Sequence, residues 1–343
     1  MKNPAAYVSQ GDVAKRAGVH QTTVSLVFRN HPSVPAETRA RVLRIAQEMG
    51  YKKHPLLAAL MSTRLKVSAG PGNPVLAFLT DFERRDRWQE SPTAVAMLEG
   101  AKLRAQQLGY RIEIFWLGDP DVRPARLAEI LTARNIHGLL LAPTHAPRGL
   151  LHFDFAPFAV VGLGVSNETS SILSVAHDHF NGMKLAIEQC AAAGRQRIGV
   201  CLTIPANERV REKWLAALAL ATRPNGRLAR LPAWEGAADG PAFGEWLKAN
   251  RPDVLIGTFD RKLLPQIRAL GLRVPEDVGM VALSVTGEER FYAGVDQRSE
   301  IIGGRAVDLL VAALNHNESG LLPMHQVLHI EGAWRPARSL PTS

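Results

Sequence analysis

The segment HQTTVSLVFR, residues 20–29, gathers side chains suited to reading a nucleic-acid surface. A helix over about 20–29 turns Val24, Val27 and Phe28 inward and leaves Gln21, Thr22, Thr23, Ser25 and Arg29 on its outer or leading face. Glutamine can pair with adenine, threonine offers a hydroxyl and a methyl, and arginine serves phosphate or guanine. No Walker loop, nucleophile elbow or Ser-His-Asp arrangement can be placed elsewhere, so no catalytic residue is assigned. The run His177-Asp178-His179 cannot aim three side chains at one ion from a regular helix. Surface or capping roles are expected there, with no metal and no cofactor.

Something must hold that helix in place, and residues 8–51 supply it. Ser9 followed three residues later by Asp12 is a capping-box pattern, which opens a helix running through Val13 and Ala14 to Ala17. Gly18 ends it in the left-handed conformation, and Val19 folds back into the angle between two helices. A third helix, about 36–49, has Val42, Ile45, Ala46 and Met49 at helical spacing and stops at Gly50. Three short helices around such a turn make a helix-turn-helix.

Charge concentrates in the same place. Residues 1–66 carry eleven Lys or Arg against three Asp or Glu, a net +8 out of +9 for the 343-residue chain. Basicity confined to a small head is the footprint of phosphate binding, whereas a solvated basic face on an ordinary bundle would need no such turn.

The stretch KKHPLLAALMSTRLK that follows Tyr51 predicts a short helix with Pro55 in its first turn and Leu56, Leu57, Leu60 and Met61 along it. So greasy a helix needs cover from a second copy, from the minor groove, or from its own domain. Residues 66–74, KVSAGPGNP, read as a linker.

Beyond Pro74 short apolar runs (75–80, 111–117, 138–143, 158–163, 197–202, 253–259, 278–283) alternate with helical stretches (93–110, 180–194, 209–221). That alternation predicts parallel sheet covered by helices on both faces, and the length suits two lobes rather than one. Ligands in such folds bind beyond the carboxyl ends of the strands, here facing a cleft. The expected division is 1–52 for the helix-turn-helix domain, 53–74 for hinge helix and linker, and 75–343 for a two-lobed effector-binding and dimerisation domain.

Head, greasy helix and α/β body, in that order, resemble the LacI/GalR family of transcriptional regulators. The residues that carry the resemblance are DVAKRAGV (12–19), TVS (23–25), ETRARV (37–42) and EMGY (48–51), then VAHDHFNGMKLA (175–186), AGRQRIGV (193–200) and GLRVPEDVGMVAL (271–283). The resemblance implies an N-terminal all-α helix-turn-helix domain joined by a hinge helix to a periplasmic-binding-protein-like α/β body. It implies a homodimer on a pseudo-palindromic operator in double-stranded DNA, most often as a repressor. The DNA-contacting set it implies is Ser9, Gln21, Thr22, Thr23, Ser25, Leu26, Arg29 and Asn30, with Leu57 and Leu60 in the hinge. Leu26 departs from members with a basic residue there, since leucine can touch a thymine methyl but cannot pair with guanine. His20 stands where a serine commonly caps the recognition helix, and is expected to cap less well. Lys53 replaces a frequent proline.

In the body the resemblance places Asp81, Arg209, Trp234, Phe259, Asp260 and Gln297 around a small-molecule effector. A tryptophan beside Arg, Asp and Gln suits a sugar, with a flat apolar face and paired donors and acceptors. Against that, Arg209 lies one residue off the usual spacing, Phe259 replaces a common Asn, and ALSV (282–285) lacks a frequent acidic pair. A carbohydrate, a less polar ligand and no strong ligand at all therefore stand as alternatives, and Trp234 either stacks on ligand or caps the core.

Cys190 and Cys201 lack metal-ligand spacing and read as buried free thiols in a reducing compartment. Residues 1–8 lack a long apolar run and no segment reaches membrane-spanning length, so a cytoplasmic protein without a signal peptide is expected. The end of the sequence carries no leucine heptads, which favours a dimer over a bundle-held tetramer. A solute-binding protein would share the body but not the basic head, and an enzyme would need a nucleophile or metal set that cannot be placed.

Overall fold

The computed structural model describes residues 8–28, 34–51, 73–143, 152–165, 171–222, 228–236, 240–259, 263–287 and 291–341. The chain divides into a small unit (Met1–Gly72, with Asn315–Asn317) and a large one (Asn73–Leu314 and Glu318–Ser343).

The head consists of α1 (Gln10–Ala17), α2 (Gln21–Phe28) and α3 (Ala36–Glu48). Ser9 and Asp12 close the capping box: the Asp12 amide donates to Ser9 Oγ at 3.2 Å, and the Ser9 amide donates to Asp12 Oδ2 at 2.8 Å. Gly18 takes φ 65°, and the Val19 amide returns to the Ala14 carbonyl at 3.1 Å. Val13, Val24, Val27, Val42, Ile45 and Ala46 form the core. Each buried valine contributes about 1.5–3 kcal/mol, which is what holds helices this short. Phe28 stacks on Tyr51 with ring centroids 5.0 Å apart, tying the end of α2 to the residue after α3. Replacing Ser9 by alanine removes the cap at a cost of about 1 kcal/mol. Amide hydrogen exchange across residues 10–17 is expected to quicken about fivefold as α1 opens more often.

The large unit contains two sheets. In the first, β1 (Val75–Thr80), β2 (Arg111–Trp116), β3 (Gly138–Leu141), β4 (Ala159–Leu163), β5 (Leu173–His177) and β12 (Gln326–Ile330) lie in the order β12-β5-β4-β3-β1-β2, all parallel. Helices α4 (Pro92–Gln107), α5 (Pro124–Ala133) and α11 (Ser299–His316) cover it, with one apolar cluster on each face. Burial on both faces is why β1 and β3 read as continuous apolar runs. Ser91 caps α4, with Pro92 in its first turn. Helices α4 and α11 meet backbone to backbone at Gly100 and Gly303, and Arg104 of α4 pairs with Asp308 of α11 at 2.6 Å.

The second sheet has the order β13-β11-β10-β9-β6-β7, with β8 also beside β6. Its strands are β6 (Arg197–Leu202), β7 (Ala229–Arg230), β8 (Trp234–Glu235), β9 (Val254–Gly257), β10 (Gly279–Ala282), β11 (Ala293–Asp296) and β13 (Ala333–Arg335). Only β13 runs antiparallel, against β11. Helices α6 (His179–Ala192), α7 (Ile204–Arg209), α8 (Lys213–Ala221), α9 (Gly240–Asn250) and α10 (Leu263–Ala269) belong to this lobe. The chain passes between lobes three times: from β5 to α6, from β11 to α11, and from β12 to β13.

Three expectations change. The helix read over 209–221 is broken, because Arg211 and Glu212 take φ 52° and 56° and separate α7 from α8. Strands β5, β11 and β12 carry too few contiguous apolar residues (LSVAH, AGVD, QVLHI) to stand out by composition. Lastly, Asp178 does cap α6, its Oδ1 accepting from the Asn181 amide at 3.0 Å, but His177 and His179 are buried rather than on the surface. They end up inside because β5 delivers them straight into the crossover between lobes.

Cys190 and Cys201 are free and buried, and burial pushes both thiols above their ordinary range. Among the described residues no group of three His, Cys, Asp or Glu could hold a metal, and no helix is long and apolar enough to cross a membrane.

Candidate nucleic-acid interface and interlobe cleft

The first turn of α2 exposes Gln21 and Thr22, while Thr23 and Ser25 are half-buried at its sides. Val24 and Val27 fix the opposite face, so the polar side chains project from a braced helix. Leu26 is half-buried and packs partly on the head's own core, which leaves only part of its side chain for a thymine methyl. Ser9 spends its hydroxyl on Asp12, at 2.7 Å. Arg29, Asn30, Leu57 and Leu60 lie outside the described residues.

His20 stands at the start of α2. Its Nδ1 accepts from the Thr22 amide at 3.4 Å and lies 2.9 Å from Thr22 Oγ1. With Nδ1 acting as acceptor, the Thr22 hydroxyl is the donor in that pair and turns its lone pairs outward. An outward acceptor suits the amino group of adenine or cytosine.

In the body, Asp81 follows β1 directly and is buried at the carboxyl end of the first sheet. Arg209 ends α7, half-buried, and burial draws its guanidinium below the usual range. Phe259 lies two residues beyond β9, its ring 5.9 Å from Tyr292. Gln297 is buried, and its amide nitrogen donates to the Leu283 carbonyl at 2.8 Å, so that donor is committed to backbone. Trp234 packs 5.5 Å from Phe243 and 6.2 Å from Trp246. Asp260 is outside the described residues.

Two polar pairs were missed from the sequence. Asn207 Nδ2 donates to Glu235 Oε2 at 3.3 Å, joining α7 to β8 beside Trp234. Thr93 Oγ1 and Ser284 Oγ, from opposite lobes, stand 3.3 Å apart. The one legible signal was the helix start at Ser91-Pro92, which puts Thr93 in the first turn of α4. The pairing with Ser284 spans 191 residues and leaves no local trace.

A braced helix-turn-helix head followed by a two-lobed, periplasmic-binding-protein-like α/β body defines a DNA-binding transcriptional regulator. Residues 11–54 match "Bacterial regulatory proteins, lacI family". The chain is 26% identical over 343 residues to the HTH-type transcriptional repressor PurR of Pasteurella multocida, spanning 93% of this chain and 96% of that one. Among solved structures it resembles a lac repressor dimer bound to operator and the anti-inducer ONPF (20% identity, TM-score 0.57, covering 98% and 99% of the two chains). It also resembles a complex of the transcriptional regulator CelR with cellobiose (22% identity, TM-score 0.58, 97% and 99%). The head thus carries the lacI-family match, and nearly the whole chain is similar to a lacI-type repressor.

Proposed function

We propose that the protein is a transcriptional repressor that binds a pseudo-palindromic operator as a homodimer and whose affinity is set by a small molecule in the cleft between its lobes. The observation that carries the DNA-reading part is the exposed Gln21–Thr22 turn on a helix whose other face is fully buried. Gln21 and Thr22 read base edges, Thr23, Ser25, Arg29 and Asn30 serve phosphate and neighbouring bases, and Leu26 touches a thymine methyl. Leu57 and Leu60 of the hinge wedge the minor groove. Replacing Leu60 by glycine is expected to weaken operator binding roughly tenfold more than binding to random duplex at the same salt. Equal losses on both duplexes would remove the wedge from the account.

For the effector, Asp81, Arg209, Trp234, Phe259, Asp260 and Gln297 form the wall. A carbohydrate is one ligand class, and a relative's complex with cellobiose supports it. The second is a less polar ligand, favoured because Gln297 has given its amide donor to Leu283 and because Phe259 brings an aromatic ring to the carboxyl end of β9. A thermal-shift screen of sugars and nucleobases, followed by operator titration with each hit, decides between them. A hit must raise the melting temperature and also change operator affinity, because an effector acts only through unequal affinity for the two states. Melting shifts without any change on operator would contradict regulation by this cleft.

A further inference from the structure

The three passages between lobes converge on one imidazole. His177 is the last residue of β5, and its Nδ1 lies 3.2 Å from the carbonyl oxygen of Ile330, the last residue of β12 and its register partner. That carbonyl also accepts from the Asp178 amide at 3.0 Å, so the ends of the first and third passages share one acceptor. The second passage is pressed against them through Gly332. A Cβ there would stand 2.8 Å from His177 Cε1, 2.7 Å from Val295 Cγ1 and 3.0 Å from the Asp296 carbonyl oxygen. On the far side, a Cβ at Gly182 of α6 would overlap His177 Nε2, so the ring also lies flush against the first helix of the second lobe. The ring of His179 stands edge-on to it at 5.0 Å, and Trp214 edge-on to His179 at 5.3 Å, continuing the contact into that lobe's core.

We infer that His177 is the positioning residue of the hinge: wedged between Gly182 and Gly332 and donating to Ile330, it holds the three passages in register so that the lobes face each other as Thr93 and Ser284 do here. Two physical points support it. Burial drives the His177 pKa down to about 4, which keeps the ring neutral with Nδ1–H as the donor the carbonyl requires. Both glycines leave only ring-shaped space, and a packed junction of this kind has discrete arrangements rather than a continuum.

This inference rests on the lobes being the regulatory part proposed above, but its test needs neither effector nor DNA. Thr93→Cys with Ser284→Cys places two thiols across the cleft, while Cys190 and Cys201 are buried and do not compete. The rate of disulfide formation under a mild oxidant then reports how often the lobes hold this arrangement. His177→Ala is expected to slow cross-linking about fivefold, the factor one buried hydrogen bond is worth. His177→Asn, whose amide can reach the same carbonyl, is expected to restore the rate to within about twofold. Circular dichroism of each variant first establishes that it is folded, and the asparagine variant keeps the test open if the alanine variant is not. Equal or faster cross-linking in a folded alanine variant, or no recovery with asparagine, would overturn the inference. Failure of the regulatory reading would show elsewhere, as an operator affinity unchanged by every ligand.

His177 also makes stability depend on pH. Its pKa falls from 6.5 to about 4 on folding, so between these values the unfolded chain binds the proton and the folded chain does not. Stability is therefore full above about pH 6.5 and declines as pH falls toward 4. Lowering pH from 7.5 to 5.5 is expected to cost roughly tenfold in the folding equilibrium through this group, and His177→Asn should remove that share of the change in urea unfolding midpoints.

Discussion

Replacing Gln21 and Thr22 together with alanine is expected to lower operator affinity by about 2–6 kcal/mol, since each base-edge contact discriminates by about 1–3 kcal/mol. Both side chains are exposed on the first turn of α2 and support no core contact, so the head should fold as before. Neither carries charge, so attraction to random duplex and its salt dependence should stay almost unchanged. Anisotropy titrations on operator and on random DNA at one salt concentration measure both quantities. Equal weakening on the two would mean that these residues position the head rather than read sequence. His20 refines the expectation: if its ring orients the Thr22 hydroxyl, His20→Ala should relax preference at the Thr22-facing base pair more than it lowers overall affinity.

Gly303→Ala is expected to destabilise the body by about 2–3 kcal/mol, although alanine ordinarily gains nearly 1 kcal/mol over glycine inside a helix. A Cβ at Gly303 would overlap the Met97 carbonyl oxygen and stand 2.9 Å from the Ala101 amide nitrogen. Those are backbone atoms of α4, which no rotamer change can move aside. Relief requires sliding α11, and with it Ile302, Ala306, Val307 and Leu310, out of the first lobe's core. The neighbouring Gly304→Ala is the matched control. Its Cβ would meet Arg104 Cβ at 3.7 Å, an ordinary contact, so it should be neutral or slightly stabilising. Urea unfolding of the two variants side by side checks the difference. Similar midpoints would show that the two helices do not depend on this close approach.

How much of this was legible in the sequence differs sharply between parts. The head was readable because its signals are local: Ser9 with Asp12, Gly18 in the left-handed turn, and Val24 and Val27 at helical spacing all lie within a few residues of what they control. The body's alternation was readable where both faces of a strand are covered, as in β1 and β3. It failed where strands are short or polar, as in β11, and where left-handed Arg211 and Glu212 interrupt an otherwise helical composition. Of the effector set, the sequence could place Asp81 at a strand end. It could not foresee that Gln297 would donate to Leu283, or that Trp234 would pack with Phe243 and Trp246, because both depend on partners brought together only by the fold. The roles of His177 and His179 were hidden for the same reason.

The two units give the chain a division of labour that charge already outlines. Nearly all the net positive charge lies in residues 1–66, so electrostatic attraction to DNA belongs to the head while the body is close to neutral. Regulation then requires the lobes to hold two arrangements that differ in what they permit the head to do, with a coupling of typically 1–3 kcal/mol between effector and operator. A junction at which three passages meet around one ring provides a place where such arrangements can differ without unfolding either sheet.

The most direct test of the central claim is selection of bound duplexes from a random pool by the full-length protein, followed by anisotropy titration of the enriched duplex at fixed salt. We expect enrichment of an inverted repeat bound about a thousandfold or more tighter than random DNA. Affinities within a few-fold for all duplexes would contradict it.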